Sequence, residues 1–155
     1  MYYKTKRSAP QLFNYRDPES PAIQKCFRNM EYFYLPVTPD GSSVVYIGLE
    51  NDKSSNYDFD NANKTFFMTL DACISAHGPQ SGLILLFDMN HLGFGHMTKI
   101  KLNTQKAFIN YAQEALPAKL KSIHIFNVSG FFQMIMAVLR PMMSAQVIGK
   151  VNNFI

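Results

Sequence analysis

Apolar and polar positions along the chain fall into two repeating patterns, one typical of buried strands and one typical of amphipathic helices. Three short runs are rich in β-branched, aromatic or uninterrupted apolar residues, which predicts strands at Val44–Leu49, Gly82–Phe87 and Ile123–Asn127. Apolar positions at helical spacing predict three helices, one from Asp58 or Asp60 to His77, one over Leu102–Ala115 and one over Phe131–Leu139. This order predicts an α/β fold with a mainly parallel β-sheet and crossover helices.

The first 42 residues follow a different pattern, because prolines interrupt them repeatedly. One helix is predicted there, over Pro21–Tyr32, since Ser20 can cap it and proline is tolerated in a first turn. Thr38–Gly41 is a predicted turn, in which proline presets φ and glycine accepts a positive φ. We therefore expect a lead-in segment at residues 1–42 and one α/β domain at residues 43–155.

The most apolar segment is residues 131–143, where large side chains point around nearly the whole helix before Pro141 interrupts it. A helix that is apolar on every side is buried or meets lipid. One interpretation is that one side packs on the sheet while the other faces a ligand or a membrane. The alternative is a non-enzymatic interaction module that docks on another protein through this helix, and the pattern alone does not decide between the two.

Composition narrows the class of protein. The chain has 13 Phe and 9 Met but no Trp, which gives a large and adaptable apolar surface. The net charge of +4 permits weak attraction to anionic membranes or nucleic acid and requires neither. Cys26 and Cys73 fall in different predicted elements, which indicates two free thiols in a reducing compartment. No apolar run approaches the ~18 residues of a membrane-spanning helix, so we expect a soluble intracellular protein.

Asp88, His91 and His96 are the residues closest to a catalytic constellation. Asp88 ends a predicted parallel strand, where ligand sites of α/β folds collect, and an aspartate with two histidines can bind a metal. The histidines belong to a flexible loop, however, so their spacing fixes no geometry, and Asp88 can instead accept backbone N–H groups. Cys73 and His77 stand four residues apart on a helix, but Cys73 belongs to the apolar stripe and is typical of an inert thiol.

Motifs for nucleotide binding and for hydrolase chemistry are incomplete. Gly93-Phe94-Gly95 lacks the lysine and hydroxyl residue that end a phosphate-binding loop. Ser129-Gly130 lacks the upstream glycine of a nucleophile elbow. We therefore predict a protein that is not an enzyme and that has no cofactor and no metal site.

A series of short motifs resembles the CRAL-TRIO lipid-binding family, closest to its tocopherol-transfer and retinaldehyde-binding branch. The motifs stand in the family's order and spacing along nearly the whole chain, which makes the set specific although each piece is short. They are Pro10–Phe13, Arg16–Pro18, Ile23–Gln24, Asp40–Gly41 with Val44–Val45, Tyr57–Asp60, Gly82 to Asp88, Gly93–Phe94 with His96, Gln113–Glu114 with Pro117, Ile123–His124 with Asn127, and Arg140–Pro141.

The resemblance implies an apolar pocket floored by the sheet and closed by a mobile gate helix at residues 131–143. It also implies binding of a hydrophobic small molecule of the tocopherol (vitamin E), retinoid or phospholipid class, and its transfer between membranes. The implied pocket residues are Phe87, Phe94, Phe108, Leu116, Leu120, Ile123, Leu139 and Met143. The implied gate residues are Phe131, Met134, Ile135 and Val138.

The resemblance further implies docking to phosphoinositide-containing membrane surfaces through a basic cluster. Lys119, Lys121 and Lys150 match that cluster, while Gln146 stands where the family prefers a basic residue. The implied location is cytoplasmic, with transient peripheral membrane association. No nucleic acid is expected as a partner.

Two departures from the family pattern concern the completeness of the domain. Ser129 replaces a proline that is usual after the third predicted strand, and the family continues beyond the position of Ile155. The family also has a fuller helical domain in front. We therefore expect residues 1–42 to be a remnant of an N-terminal helical domain and linker, and residues 43–155 to be a C-terminally shortened, incomplete lipid-binding domain.

Overall fold

The computed structural model describes residues 6–78, 80–128 and 130–153, and a five-stranded sheet forms its centre. The strands are β1 (Met30–Leu35), β2 (Ser42–Leu49), β3 (Gly82–Asp88), β4 (Leu120–Phe126) and β5 (Val151–Asn153). They stand in the sheet in the same order as in the chain. β1 pairs antiparallel with β2, and every other neighbouring pair is parallel. The predicted α/β fold with a mainly parallel sheet is confirmed, because helical crossovers join β2, β3 and β4.

Helices precede, connect and follow the strands. They are α1 (Pro10–Phe13), α2 (Pro21–Asn29), α3 (Phe59–His77), α4 (Phe94–Met97), α5 (Leu102–Glu114), α6 (Phe132–Leu139) and α7 (Ala145–Ile148), with 3₁₀ turns at Ser54–Asn56 and Arg140–Met142. The Asp58 side chain accepts the Asn61 N–H at 2.9 Å and so caps α3, as one of the two predicted caps. Gly78 takes a φ of 73° and ends this helix. Pro141 lies in the 3₁₀ turn after α6, which confirms the predicted interruption.

Residues 30–35 correct one predicted helix. The sequence pattern predicted a helix over Pro21–Tyr32, but α2 ends at Asn29 and a strand follows at once. Pairing with a distant strand decides the outcome, since Tyr32 stands opposite Ile47 in an antiparallel ladder. β1 therefore belongs to the sheet although it lies within the predicted lead-in segment, and β5 is a further strand that the pattern did not predict. The division of the chain at residue 42 stays a prediction.

The core lies on one face of the sheet, between the strands and helices α1, α3 and α5. Leu12 from α1, Phe67 from α3 and Tyr111 from α5 are at most 1 % exposed and belong to one cluster. The ring of Phe13 packs on that of Tyr111 with centroids 4.6 Å apart. Leu12 of α1 therefore belongs to the same core as the sheet, and Phe13 packs against that core.

Candidate functional site

A cavity of about 270 Å³ lies between the covered face of the sheet, helices α3 and α5, and the segment from α6 to α7. Apolar side chains from each of these elements line it: Ile47, Phe87, Ile123 and Ile125 from the sheet, Phe59, Ala62 and Phe66 from α3, Phe108, Ile109 and Ala112 from α5, and Ile135, Met136, Leu139 and Met143 from the α6 segment. An apolar cavity of roughly 150 Å³ stays dry and takes up benzene. The larger cavity here suits a hydrophobic molecule bigger than a single ring.

The pocket residues implied by the resemblance meet at this cavity, with one exception. Those that line it are Phe87, Phe108, Leu116, Leu120, Ile123, Leu139 and Met143. The exception is Phe94, whose side chain is 58 % exposed and packs on the ring of Phe131 at a centroid distance of 5.9 Å. Phe94 begins α4 outside the cavity, so its predicted place in the pocket is corrected. Contact of the other residues with a ligand stays a prediction.

The apolar side chains of α6 point in three directions. Those buried against the sheet are Phe132 and Met136, and those that line the cavity are Ile135, Met136 and Leu139. Met134 and Val138 are 53 % and 41 % exposed, so α6 also has an apolar outer face. Of the predicted gate residues, Ile135 lies at the cavity, Met134 and Val138 lie on the outer face, and Phe131 precedes the first turn. Within the described ranges, no helix has both the length and the apolar character needed to cross a bilayer.

Polar side chains on the cavity wall differ in whether the protein itself satisfies them. The Gln113 carboxamide oxygen accepts the Ser144 N–H at 2.6 Å, which ties α5 to the start of α7. Tyr57 and Gln105 also line the cavity. In the part of the chain that the structure describes, no group forms a hydrogen bond with the Tyr57 hydroxyl or the Gln105 carboxamide.

Asp88 is the only charged residue among the described residues that line the cavity. Its carboxylate accepts hydrogen bonds from the Tyr46 hydroxyl at 2.9 Å, the Asn127 amide at 3.0 Å and the Asn90 N–H at 2.8 Å. Burial opposes ionisation, but these hydrogen bonds outweigh it and lower the pKa of Asp88 below its ordinary value. Asn127 has a φ of 53°, so its bond to Asp88 fixes the direction in which the chain leaves β4. Asp88 thus links the end of β3 to β2, to the loop after β3 and to the end of β4.

The two histidines near Asp88 do not join it in a common site. His96 is buried, and its Nδ1 accepts the Gly93 N–H at 3.2 Å. His91 Nε2 lies 3.4 Å from the Asn90 side-chain nitrogen. Across residues 6–78, 80–128 and 130–153, no three His, Cys, Asp or Glu side chains are grouped so that they could hold a metal ion. The arrangement therefore supports no metal chemistry at this loop.

The three predicted headgroup-binding lysines gather around the first residue of β4. Lys119 is exposed and Lys121 lies on the other side of Leu120 in the chain. Lys150 Nζ donates to the Leu120 carbonyl at 2.6 Å. Lys121 is not free, because its Nζ forms an ion pair with Asp40 Oδ2 at 2.6 Å. The structure thus brings the lysines together, and their contact with a headgroup stays a prediction.

Both cysteines are free thiols, as the sequence predicted. Cys26 is buried against the Thr65 hydroxyl, with Sγ and Oγ1 3.3 Å apart. Cys73 is partly exposed, and the nearby His77 ring bonds the Cys73 carbonyl oxygen at 3.1 Å rather than its thiol. No Cys–His nucleophile pair therefore forms on α3.

We expect Cys26 to resist alkylation in the folded protein. Burial, only partly offset by the bond to Thr65, raises the pKa of the Cys26 thiol to about 11. At pH 8 about a thousandth of such a thiol is ionised. Burial raises the pKa of the Cys73 thiol as well, but this side chain is partly exposed and so is accessible to a reagent. Mass spectrometry after iodoacetamide treatment at pH 8 should find Cys73 modified well before Cys26, and both modified after denaturation. Rapid labelling of native Cys26 would contradict its burial.

Sequence reasoning missed two parts of the cavity wall. Met30 and Tyr32 line it from the part of β1 that was predicted as helix. Phe59 and Phe66 line it from α3, a helix that the sequence predicted, but helical spacing does not distinguish contact with a cavity from contact with a solid core. Tyr57 lies in a motif that carried the resemblance, which was the one available signal for its place.

The sheet, the helices on one of its faces and the apolar space between them define an α/β protein with an apolar cavity between the sheet and its helices. A family model described as "CRAL/TRIO domain" matches residues 28–154. The chain belongs to this CRAL/TRIO family, which confirms the resemblance seen in the sequence. Members of the family bind and transfer lipophilic ligands and are generally not enzymes.

The individual proteins to which the chain is similar share low sequence identity with it. The chain is similar to the alpha-tocopherol transfer protein-like proteins of Homo sapiens and Pongo abelii, with 24% identity over 151 residues and 96% of this chain covered. The chain spans 44% of the length of each of these curated relatives. The structure titled "Crystal structure of Sfh5" is similar with a TM-score of 0.64 and 13% identity, covering 98% of this chain and 56% of that one. At this identity the likeness to Sfh5 concerns the fold alone.

Proposed function

We propose that this protein encloses a hydrophobic small molecule and transfers it between membranes. The supporting observation is the cavity of about 270 Å³ with a wall built almost entirely of apolar side chains. Burial of apolar ligand surface contributes a favourable free energy of roughly 25 cal/mol per Å². Such a wall therefore favours a hydrophobic ligand over a polar one. The candidate classes are tocopherols, retinoids and phospholipids. The names of the similar mammalian proteins make tocopherol the first ligand to test.

Helix α6 is the gate in this proposal. Ile135 and Leu139 close the cavity from within, while Met134 and Val138 are exposed on the outer face. At a membrane this outer face exchanges water for lipid, which stabilises a position of α6 away from the cavity. Membrane contact and access to the cavity are therefore coupled through one short helix.

The test is uptake and transfer with vesicles. Donor vesicles carry fluorescent tocopherol or retinoid together with a quencher, and acceptor vesicles are prepared with and without phosphoinositide. We expect saturable uptake by the protein and a transfer rate that rises with protein concentration and with phosphoinositide in the acceptors. Circular dichroism shows that the sample is folded. A folded sample without saturable uptake removes the proposal.

Membrane docking gives a separate prediction at the lysine cluster. Asp40→Asn should strengthen binding to phosphoinositide vesicles about fivefold, because about 1 kcal/mol is gained per basic residue near an anionic surface. Asp40 Oδ2 holds Lys121, whereas Oδ1 accepts the Ser42 N–H and hydroxyl within the turn. Asparagine keeps the Oδ1 acceptor and removes the charge, so the turn is preserved while Lys121 is released. Vesicle co-sedimentation with and without phosphoinositide measures the change.

Asp60→Asn is the matched control for charge. Asp60 forms an ion pair with Lys101, also at 2.6 Å, so its replacement raises the net charge equally at a lysine outside the cluster. Lys121 holds the pKa of Asp40 well below its usual range, so the competition between Asp40 and a headgroup persists at mildly acidic pH. If both variants bind phosphoinositide vesicles more tightly by the same factor, the effect is one of general charge, and a specific role for Lys121 is contradicted.

A second candidate function rests on the outer face of α6. The exposed side chains of Met134 and Val138 would also suit a protein partner, which makes the chain a non-enzymatic interaction module. Size-exclusion chromatography distinguishes the two candidate functions. A stable lipid-free complex or homodimer supports the interaction module, whereas a monomer that acquires membrane affinity supports carriage.

A further inference from the structure

The sheet has a second face, opposite the one on which α1, α3 and α5 pack. Side chains alternate between the two faces along a strand, so the neighbours of the core residues point to this second face, which we call the open face. Its exposed or partly exposed side chains are Glu31, Phe33 and Leu35 from β1, Tyr46 from β2, Ile84, Leu86 and Asp88 from β3, and His124 and Phe126 from β4. None of them belongs to either buried cluster of the described residues. Parallel sheets of α/β proteins are covered on both faces, so the open face lacks the cover that such a sheet normally has.

Aromatic rings form the centre of the open face. Phe33 is 51 % exposed, and the centroid of its ring lies 5.4 Å from that of Tyr46. The ring of Phe126 lies on β4 at a centroid distance of 6.1 Å from the same tyrosine. Leu86 stands opposite Tyr46 in the ladder between β2 and β3. This row offers apolar surface to a partner, and the negative faces of its rings attract a cation.

Two carboxylates lie beside the aromatic row. The Tyr46 hydroxyl donates to Asp88 Oδ2 at 2.9 Å and to Glu31 Oε2 at 3.3 Å. Burial and these two carboxylates raise the pKa of Tyr46, so the hydroxyl stays a neutral donor at physiological pH. A Cβ at Gly48 would lie 2.9 Å from the Tyr46 hydroxyl oxygen and 3.2 Å from Glu31 Oε2. The glycine therefore leaves the space in which the phenol and the Glu31 carboxylate meet over β2.

The charge of these two carboxylates is not compensated by a cation of the protein. Within residues 6–78, 80–128 and 130–153, the carboxylates that form ion pairs are those of Asp40, Asp60 and Asp71. Glu31 and Asp88 therefore give the aromatic row a negative border on a protein whose net charge is +4. This border repels an anionic membrane or a nucleic acid, whereas a guanidinium or ammonium group gains from both the carboxylates and the ring faces.

We propose that the open face binds an amphipathic helix of a protein partner, with arginine or lysine beside its apolar stripe. The apolar stripe covers Phe33 and Leu86, and a basic side chain lies over the Tyr46 ring between Glu31 and Asp88. A helix is the element that covers the faces of a parallel sheet, and the two carboxylates select a basic one. The inference goes beyond the proposed function, because the aromatic row lies on the side of the sheet opposite the cavity.

Peptide titrations followed by NMR test the inference. The probe is a helical peptide with a stripe of leucine bordered by arginine, and the matched peptide carries citrulline, an uncharged isostere, in place of each arginine. The arginine peptide should shift the amide resonances of open-face residues and bind about tenfold more tightly than the citrulline peptide. Added salt should reduce this difference. Equal affinity for the two peptides, no saturable shift at millimolar peptide, or shifts confined to α6 and the cavity wall would overturn the inference.

Two variants separate the charge from the rings. Glu31→Gln keeps the size of the side chain and should weaken binding of the arginine peptide about fivefold, with no change for the citrulline peptide. Phe33→Leu keeps apolar surface but removes the ring, and should weaken binding of the arginine peptide about threefold. Glu114→Gln is the matched control, because Glu114 is an exposed residue of α5 on the covered side of the sheet.

The control variant should bind both peptides like the wild type. Unchanged affinity in Glu31→Gln, or an equal loss in Glu114→Gln, would contradict recognition of a cation at the open face. Sedimentation of the protein without peptide tests a second copy as the occupant. A monomer supports the inference, whereas a homodimer that buries the open-face amides would overturn it, since another copy of this chain would then cover the face.

Discussion

Ala112→Trp should lower the affinity for a fluorescent tocopherol or retinoid about 100-fold. Ala112 lines the cavity from α5, so an indole at this position occupies space that the ligand needs. Excluding about 110 Å² of ligand surface from the apolar wall corresponds to about 2.7 kcal/mol, or about 100-fold in the dissociation constant. Equilibrium titration of the folded variant measures the change.

The chain has no tryptophan, so the new side chain reports its own surroundings. Its emission should lie at short wavelength, as expected for an indole in an apolar cavity. Lys106→Trp is the matched control, because Lys106 lies on the exposed side of the same helix. This control should emit at longer wavelength and bind ligand like the wild type. If Ala112→Trp shows a buried indole and an unchanged affinity, the cavity is not the binding site.

Leu12→Ala should lower the free energy of unfolding by about 3 to 4 kcal/mol. Leu12 is fully buried in the cluster that contains Phe67 and Tyr111, so truncation loses apolar burial and leaves a void. Urea unfolding followed by circular dichroism and by tyrosine fluorescence measures the loss. Both signals should shift together, because α1 and the sheet share one core.

Val37→Ala is the control for this substitution. Val37 is 49 % exposed between β1 and β2, so its truncation should change stability by less than about 0.5 kcal/mol. A comparably small effect of Leu12→Ala, or a separate early transition, would mean that residues 1–42 form a unit of their own. A single shifted transition would show that they unfold with the sheet.

The central strands and the long helices could be predicted because each repeats its pattern over many residues. Residues 82–88 and 59–77 are examples, and their bounds differ from the predicted ones by only a residue or so. β1 was missed because its identity depends on pairing with β2 rather than on a local pattern. β5 has three residues, two of them asparagine, and only the ladder to β4 defines it as a strand.

The cavity could be predicted only in part. The apolar character of residues 131–143 left open whether one side meets a ligand, a membrane or a protein partner, and packing decides which side chains line the cavity. The place of Phe94 could not be predicted, because no periodic pattern around it indicates where its side chain points. In the structure its ring is exposed and packs on Phe131. Tyr57 and Gln105 are polar residues on an apolar wall, and hydrophobic patterning cannot assign them to it.

The segment that lines the cavity from β4 to α7 is tied to the rest of the protein at both of its ends. The Asn127 amide holds Asp88 at the close of β4, and the Ser144 N–H holds Gln113 on α5. If the segment opens as the proposed function requires, two attachment points favour bending in its middle over rotation about a single hinge. In the proposed function, a ligand would then enter through the side of this segment, and the distance over which the segment bends would limit the size of the ligand more than the depth of the cavity does.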